Sequence, residues 1–230
     1  MDYQHSPPVE PAETHPDRLI DFWEWLVENR RQVILAIFIA VGAVLIVYTQ
    51  RLNSQMAEET ASEDVLAAMD PDRFSTDKVN SESTKSERFA EVVASHPDTA
   101  GASNAKFLQA SALFDEGKFT EAEAVFSAYA SENPLSPLVA AAALGQASCK
   151  ASLNVNDPGA AAAYEAVRSQ HVGTAEAVQA TLALGRMAMA KKNVSKARKL
   201  FTEVSTNRVS QIWASSASDL LRQLAPAESQ

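Results

Sequence analysis

Gly117-Lys-Phe-Thr-Glu-Ala122-Glu-Ala-Val-Phe126 decides the fold, because the chain repeats it at Lys192-Asn-Val-Ser-Lys-Ala197-Arg-Lys-Leu-Phe201. Each stretch starts at a turn and sets a small alanine four residues before a phenylalanine. A second pair, Leu144-Gly145-Gln-Ala and Leu184-Gly185-Arg-Met, puts Leu-Gly inside the helix that precedes such a turn. Antiparallel helices approach closely only where small side chains sit at the crossing. Gly145, Gly185, Ala122 and Ala197 therefore mark crossings, and Phe126 and Phe201, one turn later, are expected to fill the space between repeats. Each hairpin leaves an apolar face that only a neighbouring hairpin can cover.

From residue 85 onward, alanine-rich segments with apolar residues at every third and fourth position alternate with short breaks, and no stretch sustains strand alternation. The chain is expected to be all-α. A leading half repeat, helix 85–96, carries Phe89 and Val92 before Pro97. Full repeats follow at 103–136, ending near Pro134, then at 138–171 and 178–209. The second has extra residues in its turn, Asn154–Asp157, and Asp157-Pro158 starts a helix with Ala160 and Tyr164. A final helix, about 210–224, is expected to cap the stack, with a short tail at 225–230. The spacing of Ala110, Gly117, Ala122, Phe126 and Pro134, and of Leu184, Gly185, Ala197 and Phe201, resembles the tetratricopeptide repeat family, whose unit is about 34 residues. That resemblance implies a helical-hairpin solenoid, TPR-like over 85–224, that binds other proteins.

Toward the N-terminus lies Val33-Ile-Leu-Ala-Ile-Phe-Ile-Ala-Val-Gly-Ala-Val-Leu-Ile-Val-Tyr48, which has no charge. Residues 32–50, between Arg31 and Arg51, match a hydrocarbon core of roughly 30 Å at about 1.5 Å per residue. In lipid the backbone must satisfy itself, so the segment is expected to be a transmembrane helix. A long leader and the lack of an A-x-A-like site after it favour an uncleaved signal anchor over a cleaved signal peptide. Arg18, Arg30 and Arg31 precede the span, whereas Arg51 alone follows it before Arg73. That bias predicts a cytoplasmic N-terminus and an extracytoplasmic C-terminal domain. Residues 17–31, with Phe22, Trp23 and Trp25, suit an interfacial amphipathic helix. Proline-rich residues 1–16 read as a disordered cytoplasmic tail. Residues 51–84 read as a helical stalk, stopped by Pro71, and then a solvated linker. Ala36, Ala40 and Ala43 share one face of the span and offer a contact surface for a second helix.

Composition narrows the function. The net charge of −9 and a pI near 5.0 argue against nucleic acid as a partner. With 7 glycines there is no G-x-G-x-x-G and no phosphate-cradling P-loop. Cys149 is the single cysteine and reads as a small core residue. His5, His15, His96 and His171 have no metal-ligand spacing, and no G-x-S-x-G elbow occurs. The chain is therefore expected to be non-enzymatic, with no cofactor, metal or small-molecule substrate. The basic residues Lys191, Lys192, Lys196, Arg198 and Lys199 read as a solvated helix face.

The whole plan is similar to the ancillary Sec-translocon subunit family: Phe22…Glu28-Asn-Arg30 before a signal anchor, then a small repeat domain. This resemblance implies an inner-membrane protein whose periplasmic repeats associate with the translocon and with periplasmic chaperones. A scaffold for cell-envelope assembly or division is the alternative. Mapping the repeat family's inward positions gives candidate protein-binding residues in all three repeats. They are Asn104, Phe107, Ser111, Phe114 and Asp115 in the first. The second supplies Val139, Ala142, Gln146 and Lys150, and the third Gln179, Leu182, Arg186 and Met189. This mixture suits an extended peptide or an intruding helix. A Lys/Asn clamp for a terminal carboxylate is absent, since Phe107 and Ser111 occupy its first positions.

Overall fold

A computed structural model describes residues 17–74, 83–154 and 157–224. Among these residues there are eleven helices and no strand: α1 (Asp17–Glu28), α2 (Arg30–Met69), α3 (Pro71–Phe74), α4 (Lys85–Ser95), α5 (Ala100–Asp115), α6 (Phe119–Glu132), α7 (Val139–Leu153), α8 (Pro158–Gln170), α9 (Ala175–Ala190), α10 (Val194–Ser205) and α11 (Gln211–Gln223). The tails expected at 1–16 and 225–230, and residues 75–82 of the expected linker, lie outside the described residues. The chain divides into two compact units, Met1–Gln55 and Met56–Gln230, and α2 contributes to both.

In the first unit, α1 ends at Asn29. The Asn29 backbone N–H and side-chain amide both donate to the Trp25 carbonyl, at 2.9 and 3.0 Å. Phe22 and Trp25 stack with centroids 6.4 Å apart. The apolar part of α2 is long and apolar enough to cross a membrane, and its side chains point outward: Phe38 is 73% exposed and Val44 67%. A water-facing helix with such a surface would be strongly disfavoured, whereas a lipid-facing one is not.

In the second unit, α5/α6, α7/α8 and α9/α10 are hairpins stacked in order, with α4 leading and α11 closing. Helices α5, α7, α9 and α11 also touch one another, forming one layer. The starts of the helices follow from their caps. Thr84 and Glu87 make a reciprocal capping box on α4. Asp157 caps α8 ahead of Pro158 at the first turn. Two inter-hairpin loops are built alike, His96-Pro-Asp-Thr99 and His171-Val-Gly-Thr174. In each, the threonine hydroxyl donates to the histidine carbonyl and accepts from the third N–H of the next helix. In each, the residue before the threonine is left-handed, Asp98 at φ 66° and Gly173 at φ 85°. The turns inside the first and third hairpins match too, with Gly117 at φ 77° and Lys192 at φ 57°.

The crossings are as tight as the small residues suggest. A Cβ at residue 145 would lie 2.6 Å from the Phe126 ring, and one at residue 185 would overlap Phe201. Phe126 thus fills the space between repeats, reaching from α6 to α7. Phe201 instead meets Gly185 within its own hairpin, with Ala217 of the cap in the same buried cluster. Ala122 and Ala197 are fully buried.

The second half of α2 is no free stalk. Ala61, Ala67 and Ala68 are buried, and Ala68 joins Phe89, Val92 and Ala105 in one core cluster. A Cβ at residue 101 would lie 2.6 Å from the Ala61 Cβ and 3.1 Å from the Ala61 carbonyl carbon, so two backbones approach closely there. The Glu58 carboxylate accepts from the N–H of Ala100 at 2.8 and 3.0 Å and of Gly101 at 3.3 Å, capping α5 from a different helix. Asp64 lies 2.7 Å from Nε2 of His96, and Nε of Arg88 donates to the Ala68 carbonyl at 3.0 Å. Residues 56–69 therefore act as the first helix of a repeat whose second helix is α4. At the opposite end of α5, Glu116 accepts from the Ser86 N–H at 3.0 Å and hydroxyl at 2.8 Å, capping α4 in turn. Burial alone would raise the Glu116 carboxyl, but hydrogen bonds from Lys118 and Ser86 outweigh it and hold the pKa below its ordinary value.

Because the α2–α5 contact is backbone against backbone, Gly101→Val is expected to lower stability by about 1–3 kcal/mol through overpacking. The neighbouring exposed Ala100→Val should stay within roughly 0.5 kcal/mol of the parent. Thermal unfolding of both variants, followed by circular dichroism, checks the difference.

Candidate functional site: a groove along the inner helices

The layer formed by α5, α7, α9 and α11 carries two adjoining depressions. The first, about 250 Å³, lies between α5 and α7. Phe107, Ser111, Phe114 and Asp115 form one wall, and Ala141, Leu144, Gly145 and Ser148 the other. The second, about 170 Å³, lies between α7 and α9. It takes Leu144 and Ser148 from α7, Gln179, Leu182, Ala183 and Arg186 from α9, Tyr164 from α8 and Trp213 from α11. Leu144 and Ser148 border both, so the two depressions adjoin across α7 and together make the inner-face groove.

An aromatic cluster fixes the first end. Phe107 meets Phe126 and Tyr129 edge-on at 5.7 and 5.6 Å, and Phe114 meets Phe119 at 5.1 Å. Phe107 and Phe114 are half-buried, so each keeps part of its ring open to the groove. The groove's hydroxyls are already turned inward. Ser111 donates to the Phe107 carbonyl at 3.1 Å, Ser148 to the Leu144 carbonyl at 2.9 Å, and Tyr164 to Ser148 at 3.2 Å. Burial raises the Tyr164 phenol above its ordinary value, so it remains a neutral donor. Charge stands at the two ends, with Asp115 exposed beside the aromatic end and Arg186 exposed beside Trp213. Arg186 reaches Ser216 Oγ at 3.4 Å. The arrangement presents half-buried apolar walls with hydroxyls already bonded within the chain. It aligns no nucleophile with a base.

Of the residues mapped from the sequence, Phe107, Ser111, Phe114, Asp115, Gln179, Leu182 and Arg186 come together in this groove. Others are placed elsewhere. Lys150 pairs with Glu123 of α6 at 2.9 Å, and its ammonium is raised above its ordinary pKa, chiefly by that hydrogen bond. Met189 packs against the buried cluster of α9 and α10, and Ala142 is fully buried. Asn104 is exposed, while Gln146 and Val139 are half-buried; none of them lines the groove. Ser148, Leu144, Tyr164 and Trp213 are absent from the mapping. The mapping meets the α5 and α9 walls and misses the α7 wall between them. The row Ala141, Leu144, Ser148, with helical spacing on α7, is the sequence signal for that wall.

Three matches to the tetratricopeptide repeat model cover residues 86–137, 107–154 and 155–207, together more than half of the chain. The chain belongs to the tetratricopeptide repeat family. Comparison with curated proteins gives no match. Membership accounts for the Ala122–Phe126 and Ala197–Phe201 pairs and for the shared turn geometry at Gly117 and Lys192. As a tetratricopeptide repeat protein it has a general role in protein–protein contact.

Cys149 lies in the same helix as the groove but faces the core, fully buried beside Ala110, Leu113 and Phe126. Burial, with the Glu123 carboxylate nearby, pushes its thiol up to about 11. With a folded pKa above the unfolded value, the thiol's contribution to stability is complete below pH 9 and is lost as pH rises toward 11. Native protein at pH 8 is expected to leave an aromatic disulfide reagent unreacted over hours, and denatured protein to react with it fully within minutes. Absorbance of the released thiolate checks both.

Proposed function

We propose that the protein is a single-pass membrane adaptor that holds a peptide-binding groove beside the bilayer. In this reading residues 32–50 are an uncleaved signal anchor with a cytoplasmic N-terminus, and the repeats lie in the periplasm or another extracytoplasmic space. The observation that carries the binding role is the pair of adjoining depressions along α5, α7 and α9, with an aromatic end at Phe107 and Phe114 and a basic end at Arg186. Apolar walls bury the side chains of a partner, and the opposed charges of Asp115 and Arg186 set its direction. The resemblance to ancillary Sec-translocon subunits supports translocon components and periplasmic chaperones as the partners.

A photo-crosslinking amino acid at position 107 or 114 of the membrane-embedded protein is expected to capture a translocon subunit or an extracytoplasmic chaperone, identified by mass spectrometry. Arg186→Glu, at an exposed side chain, should reduce that capture about threefold or more while leaving the melting temperature unchanged. Capture of neither partner class from either position would overturn the translocon assignment. Envelope-assembly or division proteins in their place would establish the alternative.

A further inference from the structure

The two edges of the hairpin stack differ in chemistry. At one edge lie the turns inside hairpins, among them Glu116-Gly117-Lys118 and Lys191-Lys192-Asn193. At the other lie the loops between hairpins, and three successive ones each display an apolar side chain: Leu135 is 97% exposed, Val172 79% and Val209 49%. Pro134 and Pro137 are exposed beside Leu135, and Pro97 is exposed on the α4–α5 loop of the same edge. Turns at the opposite edge expose Leu153 at 54% and Val194 at 46%, so the contrast rests on the much greater exposure of Leu135 and Val172.

The loops share that edge because α5, α7, α9 and α11 pack side by side and each begins from one of them. Cross-contacts agree. Ser103, in the first turn of α5, donates to Asn133 of the next loop at 2.8 Å. Val172 and Thr174 of the α8–α9 loop line one depression together with Asn207 of the α10–α11 loop.

This is also the edge at which the chain enters the stack, since Glu58 caps the N-terminus of α5. The chain from Arg51 to Glu58 can span at most roughly 25 Å even when fully extended. With residues 32–50 crossing a bilayer, the start of this edge cannot leave the neighbourhood of the lipid surface. Charge on the edge is mixed and largely paired, Arg168 with Glu203 at 2.9 Å beside Val172. Lys106 and Glu132 pair at 2.7 Å, and Asp98 and Arg208 are exposed with opposite signs. Such a surface suits a zwitterionic lipid interface, where isolated apolar side chains enter the headgroup region.

We propose that the inter-hairpin loop edge rests on the bilayer, with Leu135 and Val172 inserted into the lipid interface. The inference rests on reading residues 32–50 as a membrane span, and the test separates the two. Full-length Cys149→Ala protein is reconstituted in phosphatidylcholine nanodiscs with and without doxyl-labelled lipid. Single cysteines from Leu135→Cys, Val172→Cys, Leu153→Cys and Val47→Cys are each labelled with an environment-sensitive fluorophore. Leu153 is the control, an apolar side chain 54% exposed at the opposite edge, and Val47 reports the span itself. Quenching at 135 and 172 is expected to exceed that at 153 by roughly twofold or more. Strong quenching at 47 with equal, weak quenching at 135, 172 and 153 would overturn the lipid contact and leave the span intact. Blue-shifted emission at 135 or 172 without lipid quenching would mean a protein covers the edge and would also overturn the proposal. Absence of quenching at 47 would overturn the span and the proposal together.

Discussion

The close crossing of helices at small residues governs this structure. At Gly101, Gly145 and Gly185 a single added carbon would meet a neighbour within van der Waals contact distance, twice a buried phenylalanine ring and once a backbone. Interiors packed this densely transmit displacement instead of absorbing it. The spacing of α5, α7 and α9, and so the width of the groove between them, is therefore set by alanine and glycine on one side and aromatic rings on the other. Phe126 does both jobs: its ring seats against Gly145 and also forms part of the groove lining.

The same rule explains what was legible in the sequence. Phe126 and Phe201 with their alanines repeat at matching spacing, and the hairpins they belong to follow from that spacing. The all-α class follows from the helical period after residue 85 and from the apolar run at 33–48. Residues 56–69 are harder to read, because their buried face is built from Ala61, Ala67 and Ala68, and alanine carries little hydrophobic signal. Long-range caps leave no local trace either. Glu58 serves α5, and Glu116 serves α4, each across a wide sequence gap.

Part of the groove was legible for a similar reason. Residues on the inner flank of α5, such as Phe107 and Phe114, follow from repeat position. On α7 the positions equivalent to Ser111 and Asp115 fall on Gln146 and Lys150, whereas the groove is lined by Leu144 and Ser148. The displacement by two residues turns the side chain by about 200°, more than half a helical circle, enough to move it from one flank to the other. Lys150 then finds Glu123 in the preceding hairpin, a local ion pair that repeat position alone does not encode.

The alanine-built face of residues 56–69 also bears on synthesis. These residues leave the ribosome well before α5, whose Gly101 and Ala105 complete their packing. During that interval the face waits uncovered, as any strand or helix does when its partner is distant in sequence. Alanine exposes little sticky surface per residue, so a helix faced with Ala61, Ala67 and Ala68 can wait in solvent with a low tendency to seize a wrong neighbour. The small residues that permit close approach in the finished stack thereby also make the unfinished chain tolerant of delay.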